Sequence, residues 1–328
     1  MRRVLLAALA ALLSSTALAD DVTVTALPVD RFQNVAPGEQ TQGLVYEGGI
    51  VMDSASDIFG GLSGLGFTST DSHVVMVSDR GNFVSGQLIY DDAGRPLGFV
   101  GVTTTPIQNS KGNDLPRGRS QDAEALAIVE REGKAAAVRV GFENITRVAD
   151  FALTDGVPSG AAREVNIPDW LAKTRTNETL EAVCIAPPAS PVAGSTLLIT
   201  EGVINDDGQH SAFLLGVNDR GPLSYVSGSG TNPTDCAFLP NGDLLVLERG
   251  VALLAFAARL VRIKAADVQP GAHLAGELLL ESSGGDIDNM EGLAVHVGPG
   301  GETRITTIAD NNFNDWERNL LLEFSLPQ

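Results

Sequence analysis

The sequence is poor in the residues from which nucleic-acid and sugar-binding surfaces are built. It contains 22 lysines and arginines against 41 acidic residues, a formal net charge of −19. A chain this acidic repels phosphate backbones, which argues against nucleic acid as a partner. Aromatic residues make up only 5% of the chain, so a platform of stacked aromatic rings for sugars is not indicated.

Several catalytic signatures are also missing from the sequence. The four histidines lie far apart, and no Cys/His spacing typical of zinc is present. There is no phosphate-binding P-loop, no dinucleotide fingerprint and no G-x-S-x-G nucleophile elbow, because Ser63 in "GGLSGLG" is out of register. These absences argue against zinc enzymes, nucleotide-binding enzymes and serine esterases.

Only two cysteines are present, Cys184 and Cys236. In an oxidising compartment they could form one disulfide, but in a domain of this size they could equally be two buried thiols. The sequence leaves both alternatives open.

Long apolar runs are confined to the N-terminus. Arg2 and Arg3 precede the apolar run "VLLAALAALL", and "ALA" at 17–19 has the small residues of a cleavage site. This pattern predicts a signal peptide over residues 1–19, cleaved after Ala19, and a periplasmic or secreted mature protein without a membrane span. Residues 20–328 are then expected to form a single domain.

The rest of the chain has β-type patterning. Helical periodicity is limited to a short candidate at 168–174, and "LLAFAARL" at 253–260 fits either structure. Elsewhere, short apolar runs such as "HVVMVSD", "STLLITEG" and "DLLVLERG" alternate with Gly, Asn, Asp and Pro. The sequence therefore predicts an all-β protein.

One hairpin unit recurs along the chain. In each copy an acid, a small residue and an apolar residue open a strand, and a second apolar strand closes on another acid. The opening positions are Ser63, Glu124, Glu181, Asp235 and Glu291, and the closing positions are Asp79, Glu143, Glu201, Glu248 and Asp310.

The closing acids recur at intervals of 47 to 64 residues, close to the ~40–50-residue period of a four-stranded propeller blade. We therefore predict a β-propeller, with six blades favoured and five or seven as alternatives, over a two-sheet sandwich. The final strand "NLLLEFSLP" is expected to pair with the N-terminal "GLVYEGGIVMD", which would leave no open sheet edge.

In a propeller, these acids would surround one mouth of the central channel, because the start and end of an antiparallel hairpin lie together. So many carboxylates raise one another's pKa unless cations compensate them. All-oxygen ligation favours Ca²⁺, with the candidate ligands Glu124, Glu143, Glu181, Glu201, Asp235, Glu291 and Asp310. Solvated acids that cap strand ends are the alternative.

Asp79 and Glu248 are the candidates for acid–base catalysis. Arg80 and Arg249, which follow them, are candidates for binding an anionic or ester substrate, and ion pairs with neighbouring acids are the alternative for both arginines. For Asp310-Asn311-Asn312, cation binding and a tight turn are equally consistent with the sequence.

Six stretches occur in a fixed order: "SDRGNF" (78–83), "QDAEALAI" (121–128), "NETLEAVCIAP" (177–187), "LLVLERG" (244–250), "DNMEGLAV" (288–295) and "IADNNFN" (308–314). Together they resemble the exported bacterial family called phytase-like, or "esterase-like activity of phytase", over roughly residues 44–325. The resemblance implies a secreted or periplasmic β-propeller related in architecture to calcium-dependent phytases. It also implies hydrolysis of a phosphate ester or a broader esterase activity.

Two functions therefore remain open from the sequence. The first is a cation-assisted hydrolase at an acid-lined channel mouth. The second is a non-catalytic propeller that binds a small ligand or a protein at that mouth. Basic residues suited to a highly phosphorylated substrate are few: besides the two arginines named above, only Lys111, Arg117 and Arg119 are obvious.

Overall fold

The computed structural model describes residues 19–69, 72–252 and 255–327, with the side chain of Ala252 left aside. Within these ranges the chain forms 24 strands and one short α-helix. In chain order the elements are β1 (Asp20–Val22), β2 (Thr25–Pro28), β3 (Gln40–Thr41), β4 (Leu44–Asp53), β5 (Leu62–Phe67), β6 (His73–Ser78), β7 (Asn82–Tyr90), β8 (Pro96–Pro106), β9 (Ala123–Arg131), β10 (Lys134–Phe142), β11 (Arg147–Thr154), β12 (Val157–Val165), α1 (Asp169–Ala172), β13 (Leu180–Ile185), β14 (Thr196–Ile204), β15 (His210–Leu215), β16 (Gly221–Tyr225), β17 (Asn232–Phe238), β18 (Leu244–Ala252), β19 (Ala255–Ile263), β20 (His273–Leu274), β21 (Glu277–Ser283), β22 (Asn289–Val297), β23 (Thr303–Asp310) and β24 (Asn319–Ser325).

The strands form five sheets. Their orders are β1-β8-β7-β6-β5, β12-β11-β10-β9, β13-β14-β15-β16-β20, β17-β18-β19-β21 and β2-β4-β24-β23-β22, with β3 also paired to β4. The innermost strands β5, β9, β13, β17 and β22 each pack against the next, and β22 packs against β5. This arrangement is a β-propeller, whose sheets we number as blades 1 to 5 in this order.

The prediction of six blades was wrong, since the described chain forms five sheets. The long intervals between the closing acids are filled by long strands, not by a hidden blade. Strands β7 and β8, for example, contain 9 and 11 residues, about twice the usual strand length. The irregular N-terminal stretch adds β1, β2 and β3 to existing sheets.

Blade 5 combines strands from the N-terminal and C-terminal parts of the described chain. Strand β24 pairs antiparallel with β4, with Leu320 opposite Val51 and Leu322 opposite Gly49. These are the two segments that the sequence predicted to pair.

Residues 1–18 of the predicted signal peptide lie outside the described residues. Among the described residues, no helix is long and apolar enough to cross a membrane.

Close contact between inner strands explains the small residue in the repeat. A Cβ atom on Gly64 would lie 2.4 Å from the amide nitrogen of Leu126, and one on Gly292 would lie 2.2 Å from the carbonyl oxygen of Ser63. Real Cβ contacts are longer than this, so larger residues would push the inner strands apart. The narrow channel therefore selects glycine or alanine at these positions.

The structure decides between the two alternatives that the sequence left open for the cysteines, a disulfide or two buried thiols. Cys184 in β13 and Cys236 in β17 form a disulfide with a Cα–Cα separation of 5.6 Å. Both residues are buried, in the apolar core that lies between blades 3 and 4. The two strands belong to different sheets, so the disulfide joins adjacent blades covalently.

Candidate functional site

A β-bulge at the start of four inner strands aims one side chain at the channel mouth. In blade 3, Leu180 pairs with Thr200 and Ala182 with Ile199, so Glu181 is skipped. The same skip occurs at Glu124 in blade 2, at Thr234 in blade 4 and at Glu291 in blade 5. Because a bulge redirects its extra side chain, the repeat presents three glutamates and one threonine at the same level.

The second strand of each hairpin adds one more residue just beyond the paired bulge. These residues are Asp79, Glu143, Glu201, Arg249 and Asp310 in blades 1 to 5. The four acids among these residues, the three bulge glutamates and Asp122 together place eight carboxylates at one mouth. We call this group the acid cluster: Asp79, Asp122, Glu124, Glu143, Glu181, Glu201, Glu291 and Asp310.

Three of these acids form the tightest group. One carboxylate oxygen from each of Asp122, Glu124 and Glu143 lies within 4.8 Å of the others. The side-chain amide of Asn144 donates a hydrogen bond to Asp122. Burial, followed by the charges of Glu143 and Asp122, raises the pKa of Glu124 well above its ordinary value. Such a group needs protons or a cation to offset its charge.

Glu143 and Glu181 form a carboxyl pair in the acid cluster. The backbone N–H of Thr179 donates to Glu143 Oε1 at 2.7 Å, and the two carboxyl groups hydrogen-bond each other. Burial and the neighbouring carboxyl group both favour the protonated form of Glu181. Burial raises the pKa of Glu143 to about 7 and that of Glu181 well above its usual range.

Arg249 is the cation of the acid cluster. Its Nη1 lies 3.0 Å from Glu291 Oε1 and 2.6 Å from Asn289 Oδ1, and its Nη2 lies 3.7 Å from Glu201 Oε1. Burial alone would lower the pKa of this guanidinium, but the surrounding carboxylates raise it above its ordinary value. The alternative in which Arg249 pairs with neighbouring acids is therefore the one that the structure shows.

Asp79 and Asp310 complete the cluster on the side of blades 1 and 5. Burial raises the pKa of Asp79 to about 6, although the charge of Arg80 lowers it, and burial raises the pKa of Asp310 to about 7. The N–H of Asn312 donates to Asp310 Oδ1 at 2.8 Å, and the N–H of Phe313 donates to Asn311 Oδ1 at 3.1 Å. These are the bonds of a tight turn, the second alternative for this stretch.

Two predicted site residues in blade 4, Asp235 and Glu248, lie outside the acid cluster. Each is shifted by one residue from the position that faces the mouth in the other blades. Asp235 occupies the small-residue position and is fully buried. Its carboxylate accepts hydrogen bonds from the N–H groups of Cys236 at 2.8 Å and Leu293 at 2.7 Å. Both carboxylate oxygens therefore bind backbone N–H groups, which connects β17 to β22.

Glu248 faces away from the acid cluster, because neighbouring strand residues point to opposite faces. Its buried carboxylate accepts hydrogen bonds from Tyr225 Oη and Thr231 Oγ1, both at 2.5 Å, and from the N–H of Gly228. Arg259 Nη1 lies 3.3 Å away. This arrangement anchors blade 4 to blade 3, and its donors leave no room for a substrate.

The first prediction concerns this anchor. We expect Glu248→Gln to lower the free energy of unfolding by about 2 kcal/mol, because Arg259 loses its buried charge partner and the amide NH₂ would face other donors. Urea denaturation measures the change. Glu281→Gln is the matched control, since Glu281 contacts the same arginine at 3.6 Å but is 61% exposed, and it should cost under about 1 kcal/mol. Equal stability of Glu248→Gln and the wild type would contradict the anchoring role.

Arg80 also lies outside the acid cluster. Its guanidinium stacks on the ring of Phe313 at 3.2 Å from the ring centre, and its Nη1 donates to the carbonyl oxygen of Asp57 at 3.4 Å. The side chain is exposed, on the side of the mouth next to blades 1 and 5. It is therefore accessible to a ligand, unlike Arg249.

Sequence reasoning missed Asp122. It stands two residues before Glu124 in "QDAEALAI", and residues i and i+2 of a strand face the same side. That spacing did not identify it, because Asp122 lies just before β9 and the bulge at Glu124 interrupts the alternation of side chains. No comparable signal marks Asn289, whose role becomes visible only through its contact with Arg249.

Two solved structures share a distant likeness with the chain. The Cps50 (Swd1) β-propeller domain from Myceliophteria thermophila is 10% identical, with a TM-score of 0.40, and the match covers 87% of this chain and 92% of that one. Raptor from Chaetomium thermophilum is 11% identical, with a TM-score of 0.36, and the match covers 87% of this chain and 23% of that one. A comparison with curated proteins gave no match.

The family comparison is more specific. A family profile described as phytase-like, "esterase-like activity of phytase", matches residues 57–313. This range contains all five inner strands and the whole acid cluster. The chain therefore belongs to the phytase-like family.

Proposed function

We propose that the protein is an exported hydrolase that cleaves an ester at the acid cluster with the help of a divalent cation, most suitably Ca²⁺. The observation that carries this proposal is the convergence of eight carboxylates around a single arginine. Like charges this close raise the free energy of the folded protein unless protons or cations compensate them.

The donor atoms fit calcium. Ca²⁺ binds 6–8 oxygen ligands at about 2.3–2.6 Å, so two ligands of one ion lie up to about 5 Å apart. The oxygens of Asp122, Glu124 and Glu143 meet that condition, at 4.8 Å or less. Glu201, Glu291 and Asp310 could complete one or more ion sites. Asp235 is not included, because backbone N–H groups already occupy both of its oxygens.

The residues of the cluster supply the remaining parts of a hydrolytic site. A bound cation would polarise a carbonyl or phosphoryl oxygen of the ester. With Glu143 bound to the cation, Glu181 would hold a proton for the leaving oxygen, since burial raises its pKa well above its usual range. Asp79, with a pKa of about 6 caused mainly by burial, is ionised near neutral pH and could accept a proton from water. Arg249 would keep Glu291 and Glu201 in place.

Electrostatics separate the two ester classes. A phosphate monoester carries two negative charges, and without a cation the acid cluster would repel it. A neutral carboxylic ester has no such barrier. Hydrolysis of phosphate esters should therefore depend entirely on the cation, whereas hydrolysis of neutral esters should retain a cation-independent part.

Export to the periplasm or outside the cell is part of the proposal. Structural disulfides persist in oxidising compartments and are rare in the cytosol. The buried disulfide between Cys184 and Cys236 supports export together with the N-terminal sequence pattern.

The second prediction tests the hydrolase. Cation-stripped protein would be assayed with p-nitrophenyl phosphate and p-nitrophenyl butyrate, with and without 1 mM Ca²⁺. We expect Ca²⁺-dependent turnover, and about a 100-fold loss of kcat/KM in Glu124→Gln. Glu130→Gln is the matched control, because Glu130 lies exposed near the other end of the same strand, and it should behave as wild type. A folded protein with no turnover of either ester would favour the alternative, a propeller that only binds a ligand or a protein.

A further inference from the structure

A polar groove lies beside the acid cluster, where blade 5 meets blade 1. It has a volume of about 600 Å³ and is lined mainly by residues from segments 51–59 and 311–319 and by Arg80. We call it the seam groove. Known small-molecule sites range over about 300–1,000 Å³. Arg80 directly follows Asp79, and Asn311 directly follows Asp310, so the groove opens next to the channel mouth.

The walls of the seam groove are held in place before any ligand binds. Asn314 Oδ1 accepts hydrogen bonds from the N–H groups of Trp316 at 3.1 Å and Glu317 at 2.9 Å. The carboxylate of Glu317 in turn accepts hydrogen bonds from the side-chain amides of Asn312 and Asn314. A preformed wall reduces the ordering cost of binding.

Arg80 is held in place by the ring of Phe313, which has an unusual backbone conformation. Phe313 adopts φ = +52°, a region that bulky residues rarely occupy. Its ring lies so close to Gly60 and Gly61 that a Cβ atom on either glycine would approach it to 3.1 and 2.5 Å. The ring therefore has little freedom, and the guanidinium stacked on it is oriented as a flat fork.

The guanidinium of Arg80 has donors to spare. Its one hydrogen bond among the described residues runs from Nη1 to the carbonyl oxygen of Asp57, at a long 3.4 Å. No carboxylate in the part of the chain that the structure describes lies within ion-pair distance of it. The other arginine of the groove, Arg318, is already committed to Asp288 and to the carbonyl oxygens of Gly285 and Ile287.

The charges of the groove select the kind of anion. Asp53, Asp57, Asp315 and Glu317 also line it, so Arg80 provides the only uncommitted positive charge among the lining residues. A dianion such as a phosphate monoester would be repelled more strongly than a carboxylate, which carries one charge. Ser54, Ser56 and the asparagines offer hydrogen bonds that suit hydroxyl groups on the rest of the ligand.

We propose that the seam groove binds a small hydroxylated carboxylate, with its carboxylate on the guanidinium of Arg80. This site is separate from the proposed hydrolysis: it needs neither a cation nor turnover. Binding should therefore be measurable in cation-stripped protein, and its outcome is independent of the ester assays.

The third prediction is a binding experiment that uses Trp316 as the reporter. This residue lies in loop 311–318 with 85% of its surface exposed, and Trp170 is the only other tryptophan. In Trp170→Phe protein, stripped of cations and dialysed free of chelator at 0.15 M salt, gluconate should produce a saturable change in fluorescence. Glucose, which has several hydroxyl groups but no charge, and glucose 6-phosphate, a dianion, should each bind at least tenfold more weakly.

Variants of Arg80 locate the site. Arg80→Gln should weaken gluconate binding by about 10- to 100-fold, as expected for a charged hydrogen-bonded pair. Arg80→Lys keeps the charge without the planar fork and should fall between. Arg95→Gln is the control, because Arg95 is an exposed arginine of a surface ion pair, and it should change nothing. Absence of saturable gluconate binding, unchanged binding in Arg80→Gln, or tighter binding of glucose or glucose 6-phosphate would overturn the proposal.

Discussion

Without divalent cations, the protein is expected to melt at a lower temperature at pH 8 than at pH 5. The cause is the acid cluster. Burial raises the pKa of Asp79 to about 6, of Glu143 and Asp310 to about 7, and of Glu291 to about 8. In the unfolded chain the same groups titrate near pH 4. Between about pH 4 and pH 8, the folded protein therefore holds protons that the unfolded chain has released.

The direction of the effect follows from that difference. The free energy of unfolding falls with rising pH wherever the folded state binds more protons. The stabilisation is complete below about pH 4 and is lost as the pH passes through the folded pKa values of about 6 to 8. Each unit of pKa difference corresponds to about 1.4 kcal/mol. Four such groups should therefore destabilise the cation-free protein by several kcal/mol at pH 8.

Calcium should reverse the loss at pH 8 but not at pH 5, because protons and cations compete for the same oxygens. At a concentration 100 times its Kd, a ligand stabilises the folded state by about 2.7 kcal/mol. For a chain of this length that is a rise of about 5 °C in Tm. Differential scanning calorimetry at pH 5, 6.5 and 8, with and without Ca²⁺, would measure both effects.

A variant separates the acid cluster from the other acids. Glu124→Gln should reduce both the pH dependence and the calcium response, whereas Glu130→Gln, at the far end of the same strand, should change neither. A cation-free Tm that stays constant or rises between pH 5 and pH 8 would contradict the crowding of like charges in the acid cluster. A calcium response of the same size at pH 5 would place the ion elsewhere.

The sequence predicted the repeating hairpins and most of the channel mouth, because both depend on local patterns. Glu124, Glu181, Glu291 and Asp310 recur in step with strands of period two, and the structure places all four in the acid cluster. Strand alternation and turn residues are short-range signals, so they survive without knowledge of the tertiary fold.

Blade 4 shows where such signals end. Aligning its acids with those of the other blades selected Asp235 and Glu248, but the bulge falls at Thr234, and Arg249 occupies the closing position. A shift of one residue moves a side chain to the opposite face of a strand. The position of a bulge depends on how the backbones of two strands pair, which the amino-acid sequence alone does not specify. The predicted number of blades was wrong for a related reason. Long strands lengthen the interval between repeats in the same way as an extra blade would.

The disulfide supplies the other large expected effect. Removing it with Cys184→Ala/Cys236→Ala should lower the free energy of unfolding by about 4 kcal/mol. The cysteines are 52 residues apart, and a cross-link that closes a loop of this length restricts the unfolded chain by about that amount. At about 2 °C for each kcal/mol, Tm should fall by about 8 °C.

Reduced wild-type protein is the control that isolates the cross-link. Both sulfur atoms lie in the packed core between blades 3 and 4, so the alanine variant also loses buried contacts. Unfolding the wild type in excess reductant keeps the sulfur atoms and removes only the bond. If the bond carries the stability, reduced wild type and the double variant should melt within about 2 °C of each other, both well below the oxidised protein. If reduced wild type instead melts with the oxidised protein, packing between blades 3 and 4 holds them together without covalent help.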